Sequence, residues 1–176
     1  MLQIKIVRKA ISHHYKRDPS VQADWHNNDA NNSLDTFQVL KDNLPIAIFN
    51  AQTVSNLEGL DEGVKYTSTI APGKFYIRAF VPGRQHYGRI HEIVSAITLA
   101  GDKINGYSIT NKDPARWLVH DWEKLNSTSP AGVDTRVAWS AGCIVIKDAD
   151  LVALGKLFDD NGVKQGDLVP TELVEI

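Results

Sequence analysis

The chain has 176 residues, enough for one well-buried core and short for two, so a single domain is expected. Its 19 basic and 21 acidic residues leave a formal charge of −2, and 43% of the chain is hydrophobic; this excludes a disordered chain and a general binder of polyanions, and nucleic acid is not an expected partner. The apolar runs reach only a handful of residues, far below the roughly 20 that cross a bilayer, so no membrane span is expected. In chain order, Leu2, Ile4 and Ile6 alternate with Gln3 and Lys5, which predicts an opening strand over residues 2–7. The same stretch has neither a long apolar segment nor a small-residue cleavage site, so it reads as no secretory signal: either a cytoplasmic location or a leader already removed. Five basic residues (Lys5, Arg8, Lys9, Lys16 and Arg17) precede the first acid, Asp18, and read as a solvated strand and turn rather than a surface anchor.

Residues 12–35 are polar and rich in Asn and read as loop; the glycine and the terminal glutamate of an EF-hand are absent at the required spacing. Residues 37–40 and 44–50 flank Asp42-Asn43, predicting a hairpin with Pro45 on an edge strand. Residues 64–70 give a weaker sheet signal. After Pro72-Gly73, Phe75, Ile77 and Ala79 face one way and Tyr76, Arg78 and Phe80 the other. Residues 90–100 stay open: Ile90, Ile93, Val94 and Ile97 fit a helical face, whereas their β-branching favours a strand. A short strand over 117–120 leads into a polar loop over 121–134, and the apolar run 137–146 is interrupted by Ser140, Ala141 and Gly142. Asp148 is a good N-cap for a helix whose stripe is Leu151, Leu154, Leu157 and Phe158, and Gly162 sits where it should stop. Residues 168–176 close with a strand. The expected fold is mainly β with a C-terminal helix.

The single cysteine, Cys143, excludes an intramolecular disulfide and a multi-cysteine metal site. A free cysteine is more often a small buried hydrophobe, and Ile144, Val145 and Ile146 favour that reading. The three small residues before it argue for a nucleophile, because Gly142 clears the approach of a carbonyl and a turn there can aim the N–H groups of Gly142 and Cys143 at one oxyanion. A catalytic thiol needs a base, usually histidine. Of the six histidines, His13, His14 and His26 lie in the polar N-terminal region, His86 follows a Pro-Gly break, and His91 has nothing beside it to commend it. His120 ends the run Trp117-Leu118-Val119 and is joined to the cysteine segment by one loop. The histidines show no metal-ligand spacing, so no metal or cofactor is expected.

His120 and Ser140-Ala141-Gly142-Cys143-Ile144 together resemble the L,D-transpeptidase catalytic domain of the YkuD type, in which a histidine is followed by a loop and a Ser/Thr-His-Gly-Cys-aliphatic-Arg/Asn signature. Thr69-Ile70-Ala71-Pro72-Gly73-Lys74-Phe75 is similar to that family's Thr-Pro-x-Gly segment, and the resemblance runs from about Phe37 to the end. It implies a β-sandwich or barrel in which residues 1–35 are an N-terminal extension and 36–176 the catalytic domain. It further implies a peptidoglycan stem peptide as partner, an acyl-enzyme on Cys143 with His120 as base, Gly142 and Ser140 in the catalytic segment, and a place in the bacterial envelope or periplasm. Arg136, Trp139 and Ala141 are the expected substrate-binding positions. Two positions depart from the signature: Ala141 replaces a histidine and Val145 replaces the Arg or Asn, for which Arg136 is a candidate substitute. The competing expectations are an inactive peptide- or peptidoglycan-binding module of the envelope and a cytoplasmic or phage-related domain with a buried thiol. The residues fix neither transpeptidase against carboxypeptidase nor the oligomeric state.

Overall fold

The computed structural model describes residues 1–8, 35–54, 66–80, 90–106, 117–121, 142–146 and 148–176. Eight strands close into a barrel: β1 (Leu2–Arg8), β10 (Leu168–Glu175), β4 (Gly73–Arg78), β5 (His91–Val94), β8 (Leu118–Asp121), β9 (Ile144–Ile146), β3 (Leu44–Gln52) and β2 (Asp35–Lys41), in that spatial order. A separate hairpin, β6 (Ala96–Ile97) with β7 (Lys103–Ile104), and a helix, α1 (Asp148–Asp160), complete the described elements. The β1–β10 and β8–β9 pairs are parallel and the other barrel pairs antiparallel. The chain is thus mainly β with a C-terminal helix, as its alternation and its one helical stripe imply.

Alternation sets the barrel wall. Ile4, Ile6, Phe37, Ile77 and Ile93 turn inward and are buried, while Gln3, Lys5, Gln38 and Tyr76 stand outside. The predicted hairpin is present: Asp42 and Asn43 have φ of 51° and 67°, the left-handed pair of a type I′ turn that matches strand twist. The β1 strand is not peripheral, because β2 and β10 flank it on either side. At its end the buried Arg8 donates from Nε to Thr53 Oγ1 at 2.8 Å and from Nη2 to the Thr53 carbonyl at 3.0 Å. Thr53 Oγ1 in turn donates to the buried carboxylate of Asp35, and Glu175 on β10 lies 3.9 Å from Arg8.

The structure decides residues 90–100 for strand: β5 ends at Val94, and Ser95, with φ of 62°, redirects the chain into β6. It corrects the sheet reading of residues 64–70 within the described part. Tyr66–Ser68 is a 3-10 turn, and Ile70 makes only an isolated bridge to Thr98. This segment is held from outside itself: the N–H groups of Ala71, Leu99 and Ala100 donate to Ile97, Thr69 and Thr67 carbonyls at 2.7, 2.8 and 3.1 Å. The helix packs Leu151, Leu154 and Phe158 into the core. It stops as its glycine predicts: Val163 N–H reaches the Phe158 carbonyl at 2.9 Å, Gly162 N–H reaches that of Asp159 at 3.0 Å, and Gly162 has φ of 74°.

Candidate active site

The register of β8 and β9 organises the site. Val119 pairs with Ile144 and both face the core, so the next pair, His120 with Val145, turns to the outer face of the wall. His120 is nevertheless buried, at 8% exposure. Cys143 lies at the mouth of β9 and is partly exposed; its Sγ accepts the backbone N–H of Leu118 at 3.4 Å. The sulfur therefore sits against the start of the strand that carries His120 two residues later. A parallel pair cannot be joined by a tight turn, and residues 122–143 separate these two strands in the chain.

Gly142 has a packing reason to be glycine. Its φ is 130°, and a Cβ there would stand 2.8 Å from the Ser68 carbonyl oxygen and 2.8 Å from Trp117 Nε1. Those two atoms are bonded to each other, with the indole N–H donating to Ser68 at 3.0 Å. Gly142, the residue before Cys143, is thus closed in by Trp117 and the 66–68 turn. Neither residue stood out in the sequence analysis; the only signal was the position of Trp117 at the head of the His120 strand.

A second missed pair lies on the same outer face. Glu92, 2% exposed, is the register partner of Leu118, and Arg78 is in turn the partner of Glu92 with Nη1 at 3.3 Å from its Oε2. The row Arg78, Glu92, Leu118 leads across the sheet toward Cys143. Val145, by contrast, is fully buried, so the position where the resemblance calls for Arg or Asn carries no polar group.

His91 belongs to the core. It is buried, its Nδ1 accepts the Phe80 N–H at 3.0 Å, and its ring meets Phe80 and Phe158 edge-on at centroid distances of 5.2 and 4.9 Å. Of the expected site residues, the structure describes His120 on β8 and Gly142 and Cys143 at the mouth of the neighbouring strand β9. Arg136, Trp139, Ser140 and Ala141 lie outside the described residues, as do His13, His14, His26 and His86. Among the described residues no group of three or more His, Cys, Asp or Glu is placed to hold a metal ion, and no helix is long and apolar enough to cross a membrane.

No family model matches the sequence. An uncharacterized protein of Treponema pallidum (strain Nichols) is 38% identical over 177 residues, taking in 94% of this chain and 76% of that protein. Among solved structures, the L,D-transpeptidase from Xylanimonas cellulosilytica DSM 15894 is similar with a TM-score of 0.40 at 15% identity, over 98% of this chain and 60% of that one. The L,D-transpeptidase from Mycobacterium smegmatis gives a TM-score of 0.38 at 12% identity, over 98% of this chain and 59% of that one. The helical cell shape determining protein Pgp2 from Campylobacter jejuni gives 0.43 at 12% identity, over 99% of this chain and 48% of that one. The chain thus spans less than two thirds of the length of each of these solved chains.

Proposed function

We propose, for a chain that belongs to the same family as the Treponema pallidum protein, that Cys143 is the nucleophile of an acyl transfer on peptidoglycan stem peptides and His120 its general base. The observation that carries this reading is the β8–β9 register, which sets the sulfur against the Leu118 N–H and His120 two residues further along the same strand. In the first half-reaction the thiol proton passes to His120 as Sγ bonds to the amide carbonyl carbon. The C–N bond then breaks, and the departing amine takes that proton. The N–H groups of Gly142 and Cys143 stabilise the oxyanion. Attack on the thioester by a second stem's amine gives a cross-link, and attack by water gives a carboxypeptidase; either way the leaving thiolate regains a proton. Ser140 completes the catalytic segment, and Arg136, Trp139 and Ala141 contact the peptide. No step needs a cofactor, and the substrate puts the protein in the cell envelope or periplasm.

One observation favours a second reading, an inactive peptide- or peptidoglycan-binding module: Val145 is fully buried where the signature has its cation or amide. Intact mass spectrometry of the wild type and Cys143→Ala after incubation with a carbapenem separates the two. A covalent adduct on the wild type alone, with alkylation that stays fast at pH values where ordinary thiols are sluggish, supports the enzyme. No adduct and a slow thiol overturn it in favour of the module.

A further inference from the structure

On the flank of the barrel away from β8 and β9, the outward faces of β1, β10 and β4 lie side by side. Their register puts Lys5, Glu172 and Lys74 in one row and Pro170 and Tyr76 in the next, with Gln3 beside them. A cavity of about 410 Å³ lies over these residues. Its origin is local. Pro170 has no N–H to give, and the β1–β10 ladder begins only one residue later, at Ile4 and Thr171. A recess is left where the two strands would otherwise have zipped together.

The lining is specific for a strand surface. Two lysines against one glutamate leave a positive site on a chain whose net charge is −2. Glu172 on β10 stands between Lys5 on β1 and Lys74 on β4, so the two ammonium groups are held apart on strands that are not neighbours. Tyr76 leaves 41% of its surface exposed beside Pro170, an aromatic face with no partner ring among the described residues. The recess is half open to solvent and sets an apolar platform beside a few polar groups.

We propose that this recess binds an acidic saccharide, a pyranose bearing a carboxylate, and that it does so independently of Cys143. The C–H face of the sugar stacks on Tyr76 and Pro170, the carboxylate pairs with Lys74 on the same strand as Tyr76, and hydroxyls bond to Gln3, Lys5 and Glu172. Neutral sugars lose the Lys74 pairing and a bare anion loses the platform, so the site needs both features in one ligand.

The test is a titration of the isotope-labelled full chain with tetragalacturonate, with cellotetraose and with inorganic phosphate, read from the amide shifts of residues on β1, β4 and β10. Saturable shifts with tetragalacturonate, weakened about fivefold or more by Tyr76→Ala and several-fold by Lys74→Ala, are expected. Thermal midpoint and Cys143 alkylation stay at wild-type values in both variants, which separates loss of the site from loss of fold. The proposal is overturned by absence of saturable shifts with tetragalacturonate, by equal affinity for cellotetraose, by phosphate alone shifting the same residues as strongly, or by a Tyr76→Ala chain that binds like the wild type.

Discussion

Gly142 holds two constraints in one position. A methyl group there meets a backbone oxygen and an indole nitrogen at 2.8 Å each, and φ of 130° already disfavours an L side chain. Gly142→Ala is therefore expected to cost about 2–4 kcal/mol, read from the urea midpoint, and to change the alkylation rate of Cys143. Wild-type stability in that variant would mean that the Trp117–Ser68 wall yields freely. Trp117→Phe is the complementary change: it keeps the ring but strands the Ser68 carbonyl, for a loss of about 1 kcal/mol. Of this candidate site, Cys143, Gly142 and His120 were singled out in the sequence because nucleophilic chemistry would restrict residue type at short spacing. Trp117 was not, because its partner Ser68 lies 49 residues away and the contact exists only once the strands are folded together.

Elements were legible where a local rule decided them. The Asp42-Asn43 turn demands left-handed backbone, which those residues tolerate, and α1 announces itself by a helical stripe followed by glycine. Gly162 has open space around its missing side chain, so Gly162→Ala tests backbone strain alone; a loss of about 1 kcal/mol in thermal or urea unfolding is expected, smaller than at Gly142. Equal losses at the two glycines would contradict the view that close packing dominates at Gly142. Residues 90–100 were ambiguous for a physical reason. The strand β5 is only His91–Val94, its end is made by Ser95 at φ of 62° without a glycine to mark it, and four residues are too few for period two to outvote a helical reading. The 66–71 segment failed in the opposite sense: its backbone is held by residues 97–100, so local pattern could not fix it.

At the scale of the whole molecule, the first and last described strands lie side by side and in parallel, and this pairing closes the barrel. Strand order of this kind depends on contacts across the entire chain, which alternation within any one strand does not encode. Arg8, read from the sequence as part of a solvated strand and turn, instead takes the inward position that continues Leu2, Ile4 and Ile6. Arg8 is fully buried there and joins β1 to the end of β3 through both donors to Thr53, to β2 through Asp35, and to β10 through Glu175. Removing the guanidinium leaves the Thr53 carbonyl without that donor and a buried carboxylate without its neighbouring cation. Arg8→Met should therefore cost about 3 kcal/mol in equilibrium unfolding, even though methionine fills much of the same volume. Arg8→Lys should recover only part of that, because a single ammonium cannot reproduce the two directed donors of the planar fork. A methionine variant as stable as the wild type would show that barrel closure rests on the apolar rows of β1 and β10 alone, with the buried ion cluster contributing nothing to it.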